Sequence, residues 1–180
     1  AANSGFFSED ASVADHIGVR SVDLSWRQVR PTEAGPLDRA ASGRAQGMFF
    51  DSVDEQLAEA GDFWMRLFAS GEDWAPEGLA RKCGVRSYGP DYDGQRHLPI
   101  WDDCVWTELL ATYRQLFVDT GLKSDPRLRF VYVPGAFTWA EYDYDIINAA
   151  VEAGDLDQAV YLAWYRHAWS DLATLFGSNA

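Results

Sequence analysis

The run RLRFVYVPGAFTWAEYDYDII, residues 127–147, sets a carboxylate among aromatic rings just past an apolar stretch. Residues 128–133 read as a buried strand, Pro134 and Gly135 break it, and Trp139, Glu141 and Tyr142 follow at once. A carboxylic acid walled by Trp139 and Tyr142 is partly desolvated, which raises its pKa and lets it keep a proton near neutral pH. Such a group can protonate a leaving oxygen, as general-acid cleavage of a glycoside requires. Glu141 is therefore the candidate catalytic residue. The plainer alternative is that it caps a helix beginning near Asp143 or Asp145.

In parallel α/β architectures ligands meet the carboxyl ends of strands. The first expected strand leads to Arg27, Arg30 and Glu33, and the second to Glu72, Asp73 and Trp74. Every strand end thus carries a carboxylate, and two of the three set a Trp beside it. Other constellations are weaker. The run DYDGQRH (91–97) hints at calcium through D-x-D-G but lacks the remaining EF-hand ligands, so it reads as a surface turn and no metal is expected. His97, on a loop leaving a strand end, could instead touch a sugar hydroxyl. His16 and His167 read as structural, and no Ser sits in a G-x-S-x-G elbow. Cys83 and Cys104 show no metal spacing; both thiols free is the first expectation and a disulfide between them the second.

The elements that must position these groups follow from periodicity. VRSVDLSWRQVRP (19–31) alternates and reads as a strand, and AASGRAQG (40–47) as a mobile loop. FFDSVDEQLAEAG (49–61) has helical spacing, with Asp51 and Gly61 as caps. DFWMRLFAS (62–70) is a short apolar strand. A long irregular segment of loop leads to an amphipathic helix over 102–121. A strand over 125–135 and helices over 144–154 and 155–177 complete the chain. Tyr161, Tyr165 and Trp169 share one face of the last helix, the mark of packing or of an oligomer contact. Strands alternating with helices imply βαβ units and a mainly parallel sheet.

Composition bounds the partners. The 180 residues hold 28 acidic against 15 basic side chains, a net charge of −13. A surface this acidic repels a phosphate backbone, so nucleic acid is excluded as a partner. No apolar run is long enough to cross a bilayer, and no membrane partner is expected. Eight Trp, eight Tyr and ten Phe are many for a core of this size: they pack that core or line a cleft where flat sugar faces stack, and composition alone does not choose. No GxGxxG or GxxxxGK[ST] is present, and no cofactor is expected.

DLSWRQVRPTEAGPLD resembles the segment W-x-x-x-x-P-x-x-G-x-x-D that follows an early strand in (β/α)8-barrel glycoside hydrolases of the beta-galactosidase-like and cellulase-like clan. FDSVDEQLAEAGDFWMRLFAS resembles their next helix and strand, which run G-x-x-x-x-x-R. PIWDDCVWTELLATYRQLFVDTG with DPRLRFVYVPGAFTWAEYD resembles the following helix and the fourth strand. The similarity covers about residues 19–150. It implies a parallel βα fold, a partial or shortened TIM-type barrel, with Glu141 as the acid/base residue. Ala140 stands where that clan usually has Asn or Gly.

The reading is then a single domain over 1–180, an incomplete half barrel or a fragment of a longer chain, since a full barrel takes about 250 residues. The expected activity is hydrolysis of a neutral oligo- or polysaccharide by carboxylate acid/base catalysis. Trp139, Tyr142, Trp74 and Trp26 would be stacking walls, with Arg27, Arg66 and His97 binding hydroxyls. The retaining clan's second Glu has no visible counterpart; Glu72 or Asp73 could stand in from the neighbouring strand, but neither is a convincing nucleophile. A non-catalytic carbohydrate-binding or assembly module is the alternative. Half a barrel leaves open sheet edges, so a homo-oligomer or a missing second half is the expected partner. A secreted or periplasmic setting is favoured over the cytoplasm.

Overall fold

The computed structural model describes residues 7–8, 18–45, 47–91, 93–132 and 144–177. Strands β1 (Phe7–Ser8), β2 (Val19–Ser25), β5 (Phe63–Phe68) and β6 (Leu128–Tyr132) form one sheet in that order, with every pairing parallel. A separate antiparallel hairpin joins β3 (Gly43–Ala45) and β4 (Met48–Phe50). The protein is therefore mixed α/β around a parallel sheet, as the alternating pattern predicts.

The sheet's two faces follow from alternation. In β5 all six residues are buried, so the strand is covered on both sides. Phe63, Met65 and Leu67 face the large core with Val22 and Leu24 of β2. Helices α2 (Val53–Glu59), α4 (Asp103–Tyr113), α5 (Tyr144–Glu152) and α6 (Gln158–Phe176) add Leu57, Leu109, Ile146 and Leu172 to this same cluster. Each such side chain contributes about 1.5–3 kcal/mol by leaving water. Phe68 points the other way and packs with Ala45, Phe50 and Trp74 beneath the hairpin.

Local chemistry moves several expected boundaries. The strand expected over 19–31 stops at Ser25, whose side chain accepts from the Gln28 amide while Gln28 reaches back to the Ser25 amide. This capping box starts a short helix, α1 (Trp26–Val29). The next helix begins at Val53 rather than near 49, because Ser52 and Glu55 form a second capping box, and Phe50 belongs to β4. The segment 40–47, expected as a mobile loop, contributes β3. The long loop contains a further helix, α3 (Leu79–Cys83). The helix expected over 102–121 is capped by Asp102 and passes into a π-helical stretch at Arg114–Asp119.

Cys83 and Cys104 form a disulfide, which replaces the first expectation of two free thiols. It joins the C-terminus of α3 to the first turn of α4.

Candidate functional site

The carboxyl ends of β2 and β5 are tied into one rim by Arg27. Its Nε donates to Ala75 O at 2.7 Å and its Nη2 to Glu72 O at 2.6 Å, while its backbone amide donates to Trp74 O. Asp73 adds a long ion pair at 4.0 Å. Arg27 thus uses most of its donors to hold the loop after β5 against α1. Glu72 and Asp73 sit exposed on that loop, and the Ser87 hydroxyl donates to Glu72.

His97 is the hub of the long loop. Its backbone bridges both Gly71 and Tyr88, drawing three separate stretches together. Its ring is fully buried, with Nε2 2.7 Å from Asp91 Oδ2 and Nδ1 2.9 Å from Ser70 Oγ. Ser70 lies two residues past the end of β5, so this relay hangs on the carboxyl end of the central strand. With Asp91 ionised, the imidazole donates from Nε2 and accepts the Ser70 hydroxyl at Nδ1. Asp91 Oδ1 meanwhile accepts from the Asp93 and Gln95 amides, which makes the DYDGQRH run a turn folded around its own carboxylate. Both ring nitrogens being engaged inside the protein, His97 does not present them to a sugar.

The other expected contact residues are equally absorbed. Trp26 is fully buried, its indole N–H donating to Thr112 Oγ1 at 2.8 Å across to α4. Trp74 is fully buried against Phe68, with the His97 ring edge-on at 6.0 Å. Neither offers a ring face at the surface, because the crossover helices and the hairpin cover them. Arg66 lies on the hairpin face of β5, its Nε and Nη2 bonded to the two Asp23 oxygens at 2.9 and 3.0 Å. Its guanidinium also covers the Trp64 and Phe68 rings. Asp23 stands opposite Arg66 in the β2–β5 register. Trp139, Glu141 and Tyr142 lie outside the described residues, as does His16.

Ser70 and Asp23 are not singled out by the sequence, and Asp91 enters there only within the D-x-D-G run read as a surface turn. A signal for Asp23 exists: it is the one acidic residue of β2, and the neighbouring apolar run of β5 carries a single charge of opposite sign, Arg66. Ser70 carries no such mark, since the fold alone brings it to His97.

A groove of about 580 Å³ opens at the start of α4, lined by Gly84, Arg86, Tyr88, Trp101, Asp102 and Asp103. The Tyr88 hydroxyl and the Arg86 guanidinium both donate to Asp155, and these bonds, the tyrosine's first, hold its carboxyl below the usual range. A crossover helix begins on the side where the preceding strand ends, so this groove belongs to the carboxyl side of the sheet. A second depression of about 680 Å³ lies before β6, where the pairs Arg39–Asp54 and Arg127–Asp125 neutralise one another. That places it at the amino end, away from the usual ligand side.

No family model, curated protein or solved structure matches this chain. The functional reading therefore rests on the strand-end geometry and on the sequence. Among the described residues no helix is long and apolar enough to cross a membrane.

Proposed function

We propose that this is a carbohydrate-active protein of the barrel glycoside hydrolase type, with Glu141 as proton donor. The observation that carries the reading is the strand order. β2, β5 and β6 add to the sheet in one direction, and the helices between and after them contribute to one core on one face. Right-handed crossovers that never reverse direction produce a singly wound sheet, the arrangement from which (β/α) barrels are built. A doubly wound sheet would reverse and bury helices on both faces. β6 ends at Tyr132, and the chain continues through VPGAFTWAE to Glu141.

The contact set is narrower than the sequence suggests. Trp26, Trp74, Arg66 and His97 support the rim from within, which leaves Trp139, Tyr142 and Arg27 for the sugar. The Cys83–Cys104 bond favours an oxidising compartment, in keeping with a secreted or periplasmic setting.

Replacing Glu141 by Gln is expected to abolish hydrolysis of an aryl glycoside while leaving sugar affinity within about twofold, because the amide keeps the shape and loses the proton. A variant that retains its rate refutes the assignment. The second reading, a binding or assembly module without catalysis, is favoured by the state of the rim carboxylates. Glu72 and Asp73 are exposed and engaged by Ser87 and Arg27, and retention needs a second carboxylate about 5.5 Å from the first. Binding of oligosaccharide by the parent protein with no turnover would select that reading.

A further inference from the structure

We propose that Cys83, Cys104 and Asp102 form a zinc-class metal site that becomes available when the disulfide is reduced. One ligand atom from each of the three lies within 4.8 Å of the others. Two thiolates and a carboxylate suit zinc, whereas magnesium and calcium take oxygen donors. Zn–S bonds of about 2.3 Å set two sulfurs about 3.8 Å apart across a tetrahedral ion. The Cα atoms are 5.6 Å apart, so side-chain rotation reaches that spacing without moving the backbone.

The scaffold does not depend on the S–S bond alone. Leu79 of α3 and Val105 and Leu109 of α4 are buried in the main core, and Lys82 pairs with Glu108 at 2.6 Å between the two helices. Asp102 spends only Oδ1 on capping, accepting from the Cys104 and Val105 amides. Among the described residues no hydrogen bond to its Oδ2 is seen. Lys82 and Arg86 are each already engaged by a carboxylate, Glu108 and Asp155. The groove that Asp102 and Asp103 line gives a metal ion its path in and leaves the fourth position to water.

The chemistry balances with a dithiol as co-reactant. It supplies two electrons and two protons, its own disulfide forms, the Cys83–Cys104 bond breaks, and two thiols result. Metal binding then releases those two protons as two metal–sulfur bonds form. Oxidation and metal occupancy are mutually exclusive, so the site couples thiol redox state to metal content.

The test uses the whole protein, oxidised or reduced with a dithiol and then freed of it under argon, titrated with Co²⁺. The reduced form is expected to bind one equivalent with a thiolate-to-cobalt charge-transfer band that Zn²⁺ abolishes, and the oxidised form to show none. Cys83→Ser/Cys104→Ser should lose the band. Asp102→Asn keeps a capping side chain and should weaken Co²⁺ binding by about tenfold or more. The proposal is overturned by no band after reduction, by loss of the far-ultraviolet circular dichroism on reduction, by a band surviving the double serine variant, or by unchanged affinity in Asp102→Asn.

Discussion

Glu108 shows how a single carboxylate can hold three elements. Its side chain is 17% exposed and takes Arg30 at 2.9 Å from just past α1 and Lys82 at 2.6 Å from α3. Burial pushes its pKa up, and the Lys82 ammonium and the Arg30 guanidinium more than offset this, holding it below the ordinary glutamate value. A depressed folded pKa contributes stability that is complete above the unfolded value, about 4.3, and is lost as pH falls through the folded one. Glu108→Gln should therefore cost about 2 kcal/mol at pH 7, a cost that shrinks toward zero below about pH 4. Urea midpoints of parent and variant at four or five pH values measure it; a pH-independent difference would contradict the assignment.

At the scale of elements, the long loop after β5 is the part most dependent on one side chain. His97→Ala removes a partner from Ser70 and from Asp91, both deeply buried, at about 1–3 kcal/mol each. We expect a loss of about 3 kcal/mol in urea denaturation and faster proteolysis within residues 71–96, with the helices retained by circular dichroism. This loop also marks where sequence reading stops. The apolar run of β5 and the long patterned helices α4 and α6 are legible because burial imposes a period on many residues at once. The helix α3, five residues long, and the β3–β4 hairpin carry too few residues for a period to show. The hairpin follows from Trp74 and Phe68 needing cover, and α3 from Leu79 entering the main core and from the Lys82–Glu108 pair to α4. The candidate site divides in the same way. The strand-end position of Arg27 follows from the pattern, whereas the burial of Trp26 and Trp74 is decided by contacts from α4 and the hairpin, far away in sequence.

For the whole molecule, charge sets a general term that no contact removes. A net charge of −13 on a chain of this size favours expansion by self-repulsion, while the ion pairs, mostly at the surface, contribute little each. Raising ionic strength from about 0.01 M to about 0.15 M shortens the screening length from about 30 Å to about 8 Å. The thermal midpoint should therefore rise over this range in neutral chloride salt, as scanning calorimetry would show. A fall would mean that the local pairs outweigh the long-range repulsion.

The central strand separates two unlike interiors, a large apolar one behind Met65 and Leu67 and a small aromatic one with a buried guanidinium behind Arg66 and Phe68. Threading it one residue out of step would push a guanidinium into oil and strand Asp23 without its counter-ion. A misaligned chain is thereby penalised on both sides of the same ribbon, so this wall serves as a proofreading device for assembly as well as a partition.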